Sequence, residues 1–162
     1  MKTLDLPLSA DIVRSLEVGD PVSLSGVMLT GRDAAHKWMI YRFVAAGPTT
    51  STREEPYQGE VMQHFDLRAV IGKGGMGPKT LDACATVPGV YLHAIGGAAT
   101  LIAQSVRAVR GVHKLNFGVP EAMWVIEVEG FPAVVTMDSH GNSLHAEIEA
   151  ESARRLETLL KA

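Results

Sequence analysis

The sequence predicts a mixed α/β fold with a partly parallel sheet. Three observations carry that prediction. The middle of the chain alternates apolar β-type runs, glycine-rich breaks and helical stretches, the pattern of strands joined by crossover helices. Both ends contribute β-type runs that read as antiparallel. The 162 residues, with 46% hydrophobic and 20% charged side chains, suit one globular domain with a proper core, taken as residues 1–162.

In chain order, Leu4 to Leu6 is expected as a short edge strand. Ser9 can cap a short helix through Leu16, with Asp11 in its first turn. Val18-Gly19-Asp20-Pro21 is a turn, and Val22 to Leu29 alternates as a strand. Thr30-Gly31-Arg32-Asp33 breaks it, and Asp33 is placed to cap a helix from Ala34 to about Met39. Met39 to Ala46 reads as a buried strand that ends in Gly47-Pro48 and releases Thr49-Thr50-Ser51-Thr52-Arg53. A helix from about Pro56 to Phe65 follows, because Pro is tolerated in a first turn and acids favour an N-terminus. Ser51 and Glu54 also have capping-box spacing.

Arg68 to Ile71 is a short strand leading into Gly72-Lys73-Gly74-Gly75-Met76-Gly77. Pro78 to Ala85 reads as a helix with Pro at its start, Gly89 to Ala94 as a strand, and Gly96-Gly97 as a turn. Ala98 to Val109 is expected as a small-residue helix and Val112 to Phe117 as a strand. Trp124 to Glu129 and Pro132 to Met137 are expected as a hairpin about Glu129-Gly130-Phe131. Asp138 to Asn142 is a turn, and Glu147 to Lys161 a charged, amphipathic helix.

Composition narrows the function. A net charge of −3 implies no broad basic face, so nucleic acid is not the expected partner. No apolar run is long enough to span a bilayer, and Met1 to Pro7 has no apolar core of signal-peptide length, so the expected address is the cytoplasm with no membrane partner. The one cysteine, Cys84, excludes a disulfide framework within the chain and any metal or cluster site built from several of its own thiolates. Cys84 lies among apolar helix residues and reads as a buried, inert thiol.

Two stretches carry candidate chemistry. In the glycine loop, Gly72, Gly74, Gly75 and Gly77 let backbone approach a ligand, a helix N-terminus follows, and Lys73 adds a positive charge. The spacing matches neither the P-loop nor the dinucleotide fingerprint, and a tight strand-to-helix turn with a solvated lysine fits equally well. In the second stretch, the hydroxyls of Thr49 to Thr52 and the guanidinium of Arg53 suit a bidentate carboxylate, and a helix cap with surface residues fits equally well. With Arg32, all follow predicted strands, and the C-terminal ends of parallel strands lie on one side of a sheet. A small dicarboxylate or a phosphate suits such a pocket. Asp138-Ser139-His140 is not a triad, since three consecutive residues cannot converge as nucleophile, base and orienter. His36 and His93 fall in predicted regular elements and read as packed or surface histidines.

With these segments in view, the chain resembles the β subunit, or C-terminal domain, of the class I iron–sulfur hydro-lyases, the fumarate hydratase and L-tartrate dehydratase group. The matching pieces, in family order, are Gly31-Arg32-Asp33-Ala34-Ala35-His36; Gly47-Pro48-Thr49-Thr50-Ser51 with Arg53; Ile71-Gly72-Lys73-Gly74-Gly75-Met76; Tyr91 to Gln104; Glu121 to Val128; Phe131-Pro132-Ala133; and Asp138 with Gly141-Asn142. Together they cover most of the chain from about Gly19 to Asn142. Family members usually carry a longer segment before Gly-Pro-Thr-Thr, which Met39 to Ala46 replaces here, and Met-Asp or Met-Glu after the arginine, where this chain has Glu54-Glu55.

The resemblance implies a swivelling β/β/α domain and reversible addition of water to a carbon–carbon double bond between carboxylates. It implies a [4Fe–4S] cluster held by three cysteines of a partner, the α subunit or N-terminal domain, and not by this chain. It makes Thr49 the expected catalytic acid/base hydroxyl, and Arg32, Thr50, Arg53, Lys73 and Gly74 the expected substrate-binding residues. The expected assembly is a hetero-oligomer with the cysteine-bearing α subunit, or a homodimer when the chain is isolated. Trp124 to Val128 with Phe131-Pro132-Ala133 leans to fumarate, and Gly75 to Pro78 with His140-Gly141-Asn142 leans to tartrate. A separate alternative is an anion-binding or regulatory module of the same fold without catalysis.

Overall fold

One strand, Met123–Met137, runs through the whole sheet, and every other strand but the two outermost pairs with it. The computed structural model describes residues 1–32, 34–36, 38–39, 51–95 and 99–161, and for residues 51–54, 99 and 101 it describes the backbone alone. In chain order the elements are β1 (Lys2–Asp5), α1 (Ala10–Arg14), β2 (Pro21–Leu29), α2 (Ser51–Phe65), β3 (Ala69–Gly72), α3 (Pro78–Thr86), β4 (Val90–His93), α4 (Ala99–Ser105), β5 (Val106–His113), β6 (Met123–Met137) and α5 (Leu144–Leu160). Residues 34–36 and 38–39 are also helical, and Leu115–Phe117 forms a short 3₁₀ turn.

The sheet order is β1-β2-β6-β4-β3, with β5 also on β6. β1 is parallel to β2 and β3 to β4, whereas β2, β4 and β5 are each antiparallel to β6. This is the mixed, partly parallel α/β sheet that the sequence predicts, except that β1, expected to be antiparallel, runs parallel to β2. β4 is buried on both faces. Its Val90 and Leu92 pack with Leu4, Val13, Leu16, Val22, Leu24 and Val135 on one side. Its Tyr91 packs with Met62, Met76, Ala83, Cys84 and Met137 on the other. A strand buried on both faces reads as a continuous apolar run, which is why Val90-Tyr91-Leu92 has no alternation. Ser9 caps α1 as expected, its hydroxyl accepting from Ile12 N at 3.2 Å.

Four expectations are corrected. First, Ala98 to Val109 is not one helix: α4 ends at Ser105 and β5 begins at Val106. Val106, Val109 and Val112 are β-branched and lie opposite Val128, Ile126 and Trp124 of β6. Backbone pairing to an existing strand overrides the weak helical preference of the small residues before it. Second, Val112 to Phe117 is not a strand of its own, because β5 ends at His113 and Lys114 turns the chain with a φ of 58°.

Third, Trp124 to Met137 is no hairpin but the continuous β6. Gly130 has a φ of +68°, yet it bends the strand without reversing it, beside a register shift between Leu24 and Gly26 of β2. Ser25 Oγ accepts from Gly130 N at 3.1 Å and fills the irregularity. Pro132, which has no N–H to give, falls between the stretch paired by β5, up to Val128, and the stretch paired by β4, from Val134 on. Fourth, α2 begins at Ser51 rather than Pro56, so Pro56 lies inside the helix; Met39 is helical, as expected of the helix from Ala34 to about Met39 and not of the strand expected to begin there. The expected cap Asp33, the rest of the strand through Ala46 and the Gly96-Gly97 turn lie outside the described residues.

The Asp138 turn holds the end of β6 to the rest of the domain. The side chain is fully buried. One carboxylate oxygen accepts from His140 N at 2.9 Å and Asn142 N at 3.0 Å, and the other from Asn142 Nδ2 at 2.9 Å and Val18 N at 3.2 Å. Burial acts to raise the pKa of this group, but the donors from Asn142, His140 and Val18 outweigh it and hold the pKa below the ordinary value of 3.8.

Two outcomes follow from the fold. Gly130→Val should destabilise the protein by about 1–2 kcal/mol in chemical denaturation, and Gly130→Asn by less, because a β-branched residue resists a positive φ. Equal stability of both variants and the wild type would contradict the bend. A carboxyl with a depressed folded pKa contributes fully above its unfolded value, and that contribution is lost as pH falls through the folded value. Asp138→Asn should therefore cost roughly 1–3 kcal/mol at neutral pH and flatten the acid limb of the Tm–pH curve below about pH 4. Parallel curves for variant and wild type would refute this role.

Candidate active site

Among the described residues every strand except β6 runs in one direction, so the C-terminal ends of β2, β3 and β4 point the same way. Arg32 follows β2 and the Lys73 loop follows β3, as the sequence reading requires of a site at strand ends. The ends lie at different heights. Leu29 of β2 pairs with Val125, while His93 of β4 pairs with Val134, and the stretch of β6 between them spans roughly 30 Å when extended. At its own end, Arg32 Nε lies 3.8 Å from Glu121 Oε1, and Glu121 Oε2 accepts from Ala34 N at 3.0 Å. No contact joins Arg32 to Lys73 among the described residues.

The glycine loop is held from beneath. β3 and β4 are in register at Gly72 and His93, so the loop starts beside the end of β4. The Tyr91 hydroxyl packs so closely on Gly72 that any Cβ there would overlap it. The same hydroxyl donates to the Gly74 carbonyl at 3.3 Å, and His93 Nδ1 lies 3.4 Å from that oxygen. Gly74 has a φ of +89° with open space on its Cβ side, so it gives the turn rather than a tight contact. Gly75 rests on the ring of His145, in the first turn of α5, where an added Cβ would meet the ring at 3.3 Å. The His145 ring centroid is 6.3 Å from those of both Tyr91 and His93. Its Nε2 is buried with no hydrogen-bond partner among the described residues. Burial and then the nearby His93 push its pKa below the ordinary histidine value. Lys73 and Gly74 are exposed above this base, and Lys73 has no ion-pair partner among the described residues.

The helix N-terminus after the loop is already filled. α3 has Gly77 at its cap position, with no side chain to cap it, and Pro78 at its start. Glu55, from α2, takes its place. Glu55 Oε2 accepts from Gly77 N and from Thr80 Oγ1, both at 2.7 Å, and Oε1 accepts from Lys79 N at 2.7 Å and Thr80 N at 3.3 Å. The anion expected at this helix N-terminus is thus the protein's own carboxylate. The sequence carried half of this signal: a helix whose cap residue is glycine leaves orphan N–H groups that need a partner.

Of the remaining expected site residues, Thr49 and Thr50 lie outside the described residues, and Arg53 lies in the first turn of α2 with only its backbone described. His36 is buried, its Nδ1 3.0 Å from the Arg32 carbonyl, a packed histidine as expected. Tyr91 and His145 were not singled out in the sequence; they reach the loop only because β4 and α5 converge under it.

Cys84 is fully buried between α2 and the sheet, and burial pushes its thiol up to about 12, with Asp138 and Glu55 adding to the effect. A single buried, protonated thiol does not fit an iron–sulfur cluster. Among the described residues no group of three or more His, Cys, Asp or Glu could hold a metal ion, and no helix is long and apolar enough to cross a membrane.

Comparison with known proteins places this geometry in a family. The sequence profile described as Fumarase C-terminus matches residues 2–46 and 39–148. The two pieces meet where Met39 to Ala46 replaces a longer family segment. A Geobacillus stearothermophilus protein provisionally named fumarate hydratase class I is 49% identical over 95% of this chain, which spans only 35% of that protein's length. The L(+)-tartrate dehydratase subunit beta of Escherichia coli is 31% identical, over 99% of this chain and 94% of its own length. A Methanocaldococcus jannaschii protein provisionally named for the same subunit is 35% identical, over 91% of this chain and 93% of its own length. The alignments run over 181 and 189 positions, more than the chain's 162 residues, so the relatives carry internal residues that it lacks. Its fold, its strand-end loops and these matches together make the chain a member of the fumarase C-terminus family, a β-subunit-like relative of the fumarate hydratases and tartrate dehydratases.

Proposed function

We propose that this chain is the carboxylate-binding and proton-handling component of a hydro-lyase that reversibly hydrates fumarate to malate. The observation that carries the reading is the glycine loop. An exposed Lys73, with no ion-pair partner among the described residues, stands on a turn fixed from below by Tyr91, His93 and His145 and fixed behind by Glu55. That arrangement holds a cation at the C-terminal edge of a parallel strand pair, open to a partner surface. Lys73 and Arg53 take substrate carboxylates, Arg53 bidentately. Arg32, also expected as a carboxylate ligand, stands beside Glu121 at the end of β2 and is left outside this cluster. Thr50 and the Gly74 backbone orient the substrate.

Thr49 moves the proton at the substrate carbon. A free hydroxyl is a poor base, so Thr49 works only where nearby cations and exclusion of water favour its deprotonated form. Lys73 and Arg53 supply that field. The single buried thiol of this chain does not fit a [4Fe–4S] cluster; a cysteine-bearing α partner would hold that group, which would supply Lewis-acid chemistry toward the substrate. The working enzyme is then a hetero-oligomer located in the cytoplasm.

A second reading, L-tartrate dehydratase, has its own support: the relatives named for that subunit are matched over nearly their whole length, whereas the fumarate hydratase relative is matched over about a third. The higher identity, 49% against 31%, favours fumarate.

In the complex with its partner, Thr49→Ala should lower kcat by about 10²–10⁴-fold, and a loss of less than about tenfold would contradict the acid/base role. Lys73→Ala should raise KM by roughly 10–100-fold through loss of a charge-assisted contact, and should also lower kcat, because the field at Thr49 weakens. An unchanged KM would remove Lys73 from the carboxylate site.

A further inference from the structure

We infer that Glu55 is a positioning residue of this site: it ties the helix that opens with Ser51 to Arg53 to the backbone at the end of the Lys73 loop, and so fixes where Lys73 stands. The inference rests on the carboxylate-binding reading of the loop. The tie is complete. Pro78 has no N–H, and the N–H groups of Gly77, Lys79 and Thr80 all donate to the Glu55 carboxylate. The helical ladder takes over at Leu81, whose N–H donates to the Gly77 carbonyl at 3.2 Å. The Thr80 hydroxyl adds a fourth bond at 2.7 Å. The positive end of α3 is therefore neutralised from within and has no donor left for a substrate anion. Lys73 and the loop ahead of it must do that work.

The fit around Glu55 is close and specific. A Cβ on Gly77 would stand 2.8 Å from Glu55 Oε1. One turn further along α2, on the same face, Gly59 lets the two helices approach, since a Cβ there would stand 3.0 Å from the Lys79 carbonyl. α2 and α3 are thus locked at two successive points. The loop is anchored at its start by the pairing of β3 with β4, in its middle by Tyr91 at Gly74, and at its end by Glu55 at Gly77. Removing the last anchor frees the side of the loop that faces α2 while leaving the sheet intact. Because Arg53 lies two residues before Glu55 in the same helix, the anchor also sets where the Arg53 backbone stands relative to the loop.

The test uses the ¹⁵N-labelled chain, with succinate as a non-reacting dicarboxylate probe. It compares the wild type with Glu55→Gln, Thr80→Val, Lys73→Ala and the Glu55→Gln/Lys73→Ala double variant. Glu55→Gln should raise amide exchange at Gly77, Lys79 and Thr80 by about tenfold or more, and at Lys73 to Gly75 by at least about threefold, with the β4 and β6 amides unchanged. It should weaken succinate binding by about fivefold or more in the wild-type background and by less than about twofold when Lys73 is already absent. Thr80→Val should show a smaller change of the same kind, and it stands in for Glu55→Gln should that variant fail to fold. Succinate binding that is unaffected by either variant, or an equal loss with and without Lys73, would overturn the positioning role. Raised exchange at Lys73 to Gly75 in Glu55→Gln, with no succinate-dependent shift at the loop of the wild type, would keep the anchor and contradict the carboxylate role of Lys73.

Discussion

The backbone hydrogen bonds of β6 are the constraint on which the rest of the domain depends. One edge of this strand pairs with β2 along nearly its whole length, and the other pairs with β5 in its first half and β4 in its second. A strand shared in this way has no free edge in the middle of the sheet, which is how the fold avoids exposing unpaired N–H groups there. The bend at Gly130 and the missing donor of Pro132 fall where the second edge changes neighbours, so neither interrupts a ladder on that edge; on the β2 edge Gly130 sits at the register shift that Ser25 Oγ fills. Because β6 alone among the described strands runs against the others, the loops that follow the other strands leave in the same direction, the β2 loop at one height and the β3 and β4 loops at another.

What stands at the end of β3 is a loop whose own geometry is over-determined. Tyr91, His93 and His145 come from two elements distant in sequence, and Glu55 from a third, and all converge on residues 72–80. Surface lysines are ordinarily held by little; here the turn beneath Lys73 is fixed at several points while the ammonium itself stays open to solvent. Such a site is rigid on one side and unfinished on the other. That is the form expected of one wall of an active site shared between two polypeptides, and it agrees with a chain whose only thiol is buried and protonated.

Much of the fold is legible because it depends on local signals. Ser9 before an apolar helix, Pro78 at a helix start, the alternation of Val22 to Leu29 and the turn at Asp138 to Asn142 each act within a few residues. The misread elements are those decided by distant partners. Val106 to Val109 joins a strand because β6 offers a ladder, and the cross-strand pairs Arg107–Glu129 and Arg110–Glu127 follow from that register. Glu129-Gly130-Phe131 has the composition of a turn, and only the continuous pairing with β2 on both sides makes it a bend. In the site, the glycine loop and its strand-end location could be read directly. The Glu55 anchor could not, because no periodicity links Glu55 to Thr80, although the glycine cap of α3 announced a missing acceptor.

The central claim is that this chain supplies binding and proton transfer to an enzyme whose metal lies elsewhere. Anaerobic co-expression with a cysteine-bearing α partner, followed by assay on fumarate, malate and both tartrates, tests it most directly. The account predicts turnover of fumarate and malate by the cluster-loaded complex and none by either chain alone. A cluster-loaded complex that turns over none of the four substrates, or an α partner fully active without this chain, would contradict it.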